Sequence, residues 1–228
     1  MPLLYIDRST LMPLLAALVL AGGAPVPIPA QTGSIEGQVE AAKPRARRVA
    51  DRYASGGGAG AKIQPLPAVV VLEGAEGAGA STRRHRLAQR DTAFVPAVLV
   101  VPPGATVDFP NEDPFFHNVF SYSAVKRFDL GRYPRGESRS VRFDRPGVVR
   151  IYCEVHESMR AAVIVTASTH HTVVGEDGRF RIDGVPPGSY TLVLWDPEQG
   201  ESRMRVTVRA GEVTRLTLAA GGGARNAE

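Results

Sequence analysis

The chain of 228 residues is long enough for one large or two modest domains, and with 43% hydrophobic and 22% charged residues it is globular rather than disordered. Its 24 Gly and 18 Pro favour short strands joined by turns, and a net charge of only +4, with basic clusters that no aromatic residues interleave, argues against a nucleic-acid partner. A single cysteine, Cys153, excludes an intramolecular disulfide.

From the N-terminus, Arg8 precedes an apolar run from Leu11 to Leu20, followed by AGGAPVPIPAQ, the pattern of a secretory signal over residues 1–30. The run is too short for a transmembrane anchor, and Pro13, Pro25, Pro27 and Pro29 would break a buried helix. The expectation is a periplasmic or secreted protein with no membrane segment after cleavage. A lone thiol exported to an oxidising compartment needs protection, by burial or by metal ligation.

In residues 31–78, GSIEGQVE reads as a strand, Lys43 to Ala61 as a basic, Gly-rich linker, and PAVVVLEG (Pro67 to Gly74) as a buried strand. The loose AEGAGASTRRHR follows, with His85 expected to be exposed among solvated arginines. Residues 79–166 are densely patterned. There AVLVVPPGATVDFPNED gives strand, Pro-Gly turn and strand, SVRFDRPGVVRIYC repeats the arrangement, and no long 3.6-residue period intervenes, so a β-sandwich is expected. Residues 167–220 form a second, smaller β-module in which Tyr190, Leu192 and Leu194 alternate with Thr191, Val193 and Trp195, and residues 221–228 read as a disordered tail. The fold class is therefore all-β.

Within the second module, DGRFRIDGVPPGSYTL resembles the carboxypeptidase regulatory-like, transthyretin-type β-sandwich, a family of binding or spacer modules rather than catalysts. Such modules open with a G-x-V strand and a strand ending V-x-L, which here stand far upstream in GSIEGQVE and PAVVVLEG. Two readings stay open: a discontinuous module with the dense region inserted into it, or an independent N-terminal extension.

The chemistry concentrates in IYCEVHESM, where Cys153, His156 and Met159 stand as C-x2-H-x2-M directly after an apolar strand. Extended, this segment spans roughly 20 Å, so convergence on one ion requires a tight loop. Thiolate, imidazole and thioether form a soft, mixed set suited to copper, and two His plus one Cys with a weak axial Met is the blue-copper arrangement. FPNEDPFFHNVFS supplies the second imidazole, His117, thirty-six positions before Cys153.

The N-x-D…HNV segment and the C-x2-H-x2-M loop together resemble the cupredoxins, in particular the amicyanin and plastocyanin group, which implies a Greek-key β-sandwich holding one type 1 copper. The resemblance implies His117, Cys153 and His156 as equatorial ligands and Met159 as the axial one. It also implies Asn111 as the residue bonding across the site to tie its two segments together, and His156 as the electron port. Redox partners such as a c-type cytochrome or a periplasmic dehydrogenase would follow, with no enzymatic activity. The loop CEVHESM departs from the group in lacking proline, which bears on rigidity and potential. Phe115 and Phe116 are expected in the core, with apolar surface at the port, shared with Met159, as the alternative, and Glu154 and Glu157 as solvated carboxylates or an acidic docking rim.

Other readings are weaker. A structural zinc site rarely uses methionine, and a Cys-His hydrolase needs a cysteine activated at a helix N-terminus or by an adjacent base. His170 and His171, adjacent on a strand, point to opposite faces and do not readily share a metal. A copper carrier or sensor using the same ligands remains the alternative to electron transfer, and an adhesion or assembly role for the second module has no residue pattern that tests it.

Overall fold

The computed structural model describes residues 31–40, 66–75, 77, 83–220 and 224–226. The expected signal and the basic linker after Glu40 lie outside them. Among the described residues there is no helix.

The inserted unit runs through β3 (Arg84–Arg86), β4 (Ala88–Arg90), β5 (Ala93–Val95), β6 (Val98–Val101), β7 (Ala105–Pro110), β8 (His117–Ser123), β9 (Lys126–Tyr133), β10 (Ser138–Phe143), β11 (Gly147–Tyr152) and β12 (Arg160–Val165). One sheet has the order β6-β12-β11-β8-β9 and faces a second, β10-β7-β3, while β4 and β5 form a hairpin. Alternation decides which side chains enter the space between them: Ala105, Val107 and Phe109 of β7 meet Val149 and Ile151 of β11 and Ala161, Val163 and Val165 of β12 in one core, which also contains Cys153 and Met159.

The second module is built from both ends of the chain. Its strands are β1 (Gly33–Glu40), β2 (Val69–Glu73), β13 (His171–Val173), β14 (Arg179–Val185), β15 (Gly188–Asp196), β16 (Gly200–Val208), β17 (Val213–Ala219) and β18 (Ala224–Asn226). Two sheets, β14-β1-β17-β18 and β13-β2-β15-β16, enclose a core with Ile35, Val70, Leu72, Phe180, Leu192, Leu194 and Leu218. β1 pairs antiparallel with β14 and parallel with β17, and β2 lies between β13 and β15. The two upstream strands are thus interior strands of the C-terminal module, with the site-bearing unit inserted between them and the rest.

The modules also share an apolar layer: Val69, Val71 and Trp195 on one side pack against Val98, Ala162 and Ile164 on the other. This explains why VVVL, AAVIV and LVLW lack polar alternation, since β2, β12 and β15 are covered on both faces.

Several local expectations change. The tail carries β18, paired with β17 through Leu216↔Asn226 and Leu218↔Ala224, because the edge of β17 leaves backbone donors and acceptors open. Arg84–Arg86 form a strand parallel to β7 rather than a loose segment, and Arg84 and Arg86 pair with Asp108 and Glu112. His85 between them is half-buried, and its Nε2 has no hydrogen-bond partner.

Gly37 on β1 illustrates how closely the module is packed. A Cβ there would stand 2.5 Å from the Phe180 ring and 2.8 Å from the Leu216 carbonyl oxygen. Gly37→Ala is expected to destabilise the protein by about 1–3 kcal/mol through overpacking, read as a lower urea midpoint at unchanged slope.

Candidate metal centre

β8 begins at His117, β11 ends at Tyr152, and Tyr152 pairs with Phe120, so the residues that follow β11 emerge beside the start of β8. The chain then turns through Cys153–Met159, where the Met159 N–H donates to the His156 carbonyl at 3.0 Å, and re-enters the sheet as β12. This short return is the tight loop that convergence of the donors requires.

His117 Nδ1 lies 3.8 Å from Cys153 Sγ and 3.1 Å from His156 Nδ1, and one donor atom from each of the three residues falls within 4.8 Å of the others. Donors ~2.0–2.3 Å from a common ion at trigonal angles stand ~3.5–3.9 Å apart, so the cluster has the size of a three-ligand metal site. His117 is 0% exposed, Cys153 4% and Met159 0%, whereas His156 is only half-buried. Met159 lies in the same apolar core cluster as Cys153. Among the described residues this is the only group of three or more His, Cys, Asp or Glu side chains that could hold a metal. His170 and His171 instead bond to local backbone oxygens, those of Gly184 and Ser168.

The orientation of His117 comes from Asp113. Its Oδ2 sits 2.8 Å from His117 Nε2, leaving Nδ1 to face Cys153 and His156. The carboxylate is itself held by the N–H groups of Asp91 (2.6 Å) and Thr92 (2.9 Å), which form the two-residue turn of the β4–β5 hairpin. Both turn residues have positive φ, 53° and 54°, an unfavourable conformation for a β-branched threonine that two bonds to one carboxylate hold in place. Burial pushes the Asp113 pKa up, but bonds from Thr92, His117 and Asp91 outweigh it and hold the group below the usual carboxylate range. His156 is lowered, first by burial and then by repulsion from His117, which favours the neutral imidazole that a metal requires.

The role expected of Asn111 falls to another asparagine. Asn111 donates to the Phe115 and Tyr133 carbonyls (2.8 and 3.0 Å) and accepts from the Asp113 N–H (3.0 Å), so it shapes the loop before His117 and does not reach the Cys153 segment. Asn118 makes the crossing: its Oδ1 accepts from the Glu154 N–H at 2.6 Å, joining the segments that carry His117 and Cys153. The reason is pleat geometry. Asn118 sits on the strand beside the loop, whereas Asn111 lies in the turn leading to it.

Phe115 and Phe116 are not core residues; they are 57% and 58% exposed, and Val155, beside His156 in the loop, is 39% exposed. The Phe115 and His156 rings are 6.5 Å apart. Of the loop carboxylates, Glu154 pairs loosely with Arg132 at 3.4 Å and both remain well exposed.

Fold and site together define an all-β protein of two interleaved sandwiches with a Cys-His-His cluster, buried at His117 and Cys153, at one end of the inserted one. Residues 158–221 match the carboxypeptidase regulatory-like domain family, a stretch that begins inside the ligand loop and leaves out β1 and β2. Solved structures similar to the chain include a cupredoxin, amicyanins and a copper-containing nitrite reductase. A purple cupredoxin from Nitrosopumilus maritimus is 22% identical with a TM-score of 0.34, over 36% of this chain and 99% of its own. Amicyanin from Paracoccus versutus is 17% identical with a TM-score of 0.35, over 42% of this chain and 97% of its own. A copper-containing nitrite reductase from Thermus scotoductus is 23% identical with a TM-score of 0.35, over 56% of this chain and 28% of its own. Likenesses at these scores carry no weight for the site, which rests on its own geometry. No curated protein matches the sequence.

Proposed function

We propose that the chain is an exported type 1 copper protein that transfers electrons and catalyses no reaction of its own. The observation that carries this reading is the convergence of His117 Nδ1, Cys153 Sγ and His156 Nδ1 at one end of a packed sandwich, with Met159 buried in the same core as Cys153. A thiolate, two imidazoles and a thioether suit neither oxidation state of copper fully, so bound copper would supply one-electron chemistry with little change in geometry.

The chain's own part is to keep the donors still. His117 is fixed by Asp113, the Cys153 segment by Asn118, and Cys153 and Met159 by core packing. This backing favours electron transfer over metal exchange, because a carrier must release what this site encloses. His156, half-exposed and near the exposed Phe115 ring, is the port at which a redox partner, a c-type cytochrome or a periplasmic dehydrogenase, would dock.

The test is the visible spectrum of the mature protein with one equivalent of Cu(II). An intense thiolate-to-copper band near roughly 600 nm, abolished in Cys153→Ser, is expected. A colourless wild-type protein would sink the reading and turn attention to Cu(I) or zinc on the same ligands.

A further inference from the structure

We infer that the C-terminal module is a positioning clamp for the metal loop, holding β12, and with it Met159 at the entrance to that strand, through Trp195 and Glu198. The inference rests on the copper-site reading for its purpose, though not for its test.

β12 starts one residue after Met159 and is the strand on which the loop ends. Within its sheet it is held by β6 and β11, and on its inner face by the core that contains Cys153 and Met159. Its outer face, Ala162 (0% exposed) and Ile164 (5%), is covered by the other module: Trp195 (4%), Val69 and Val71. Without that cover an apolar face would meet water along the strand that carries the ligand loop.

The turn between β15 and β16 adds a second hold. Asp196 Oδ1 accepts from the N–H groups of Glu198 (2.9 Å) and Gln199 (2.8 Å), which fixes the turn. Glu198 Oε1 then accepts from Arg160 Nη2 at 2.9 Å, and Arg160 is the residue immediately after Met159. Arg150 on β11 reaches the Pro197 carbonyl of the same turn at 3.4 Å. Because Glu198 is 63% exposed, the ion pair is the weaker contact and the buried indole the stronger. The loop CEVHESM contains no proline, so its stiffness must come from its ends. One end is tied by Asn118 within the sandwich; the other is backed by the second module.

The experiment is amide hydrogen exchange on the full, metal-free chain, comparing wild type with Trp195→Leu, Glu198→Gln and Phe180→Leu. Phe180 lies in the far core of the same module and serves as a control for loss of module stability alone. Exchange from Met159 to Ile164 is expected to rise about tenfold in Trp195→Leu and about threefold in Glu198→Gln, with no local rise in Phe180→Leu. In copper-loaded protein, transfer to a chelator should quicken in the same order. Unchanged exchange in both clamp variants, or an equal rise in Phe180→Leu, overturns the inference. If Trp195→Leu does not fold, Glu198→Gln decides: a local rise supports the clamp and no rise overturns it. A failure of the copper reading is seen separately, as a colourless wild type, and leaves these exchange rates interpretable.

Discussion

A fragment that starts at residue 79 will fail to fold its C-terminal half, although it contains nearly all of the stretch that matches the regulatory-like family. It lacks β1, which separates β14 from β17, and β2, which separates β13 from β15, so both sheets lose an interior strand. It also loses Ile35, Val69, Val70, Val71 and Leu72, all 6% exposed or less. At ~1.5–3 kcal/mol for each buried aliphatic side chain, the loss is on the order of 10 kcal/mol, comparable to the whole stability of an ordinary domain. The remaining strands would also expose the apolar faces that those residues cover. Circular dichroism, proton NMR dispersion and limited proteolysis check this. A fragment of residues 79–220 with a dispersed spectrum and a cooperative melt covering the C-terminal strands would contradict the sheet order described here.

Asp113 should have the second largest effect, and on two properties at once. It accepts three hydrogen bonds: from the Asp91 and Thr92 N–H groups and from His117 Nε2. Asp113→Ala orphans two backbone donors in a turn that already has positive φ, and frees the imidazole of a fully buried histidine. Asp91 and Thr92 are themselves exposed, so water takes over part of the lost bonding, and a loss of about 2 kcal/mol in unfolding free energy is expected. Removing the carboxylate behind a ligating histidine typically costs 10–100-fold in metal affinity, and a drop of that size in copper affinity is the second expectation. Asp113→Asn should fall between wild type and Asp113→Ala: Asp91 and Thr92 bond to different carboxylate oxygens, so the single amide oxygen can keep only one of those bonds, and the charge behind His117 is gone. Chemical denaturation of the metal-free protein and competition with a copper chelator measure each effect on its own. An Asp113→Ala protein equal to wild type in both would show that His117 is oriented by core packing alone.

How far the site is legible before folding depends on the residue. The four donor types, their order and the need for a short loop follow from IYCEVHESM and HNV, because few metals accept that mixture. The regulatory-like module is legible through the turn and strand signals around DGRFRIDGVPPGSYTL. Asp113 and Asn118 stand inside the very motif that points to the site, yet their roles were not. A carboxylate four positions before a histidine acquires meaning only when a hairpin more than twenty positions upstream delivers two N–H groups to it. Likewise, choosing between Asn111 and Asn118 as the bridge requires knowing which of them lies on the strand beside the loop.

Phe115 and Phe116 depart from the expected core position for a related reason. Aromatic residues beside a strand usually enter the core, but here the space between the sheets is already filled by Phe109, Phe143 and Tyr133, and the loop before His117 is turned outward. Side-chain type favours burial; the volume left in the core decides it.

By itself, the amino-acid sequence determined the all-β class and pointed to the residues that cluster as possible metal donors, because alternation, turn residues and ligand chemistry are local properties of a chain. Only the tertiary structure decided that β1 and β2 complete the second module, that Asp113 and Asn118 support the site, and that the strand leaving Met159 is covered by Trp195. Each of these depends on strands brought together from distant parts of the chain, where pairing and packing are settled by the competition of all segments for the same cores.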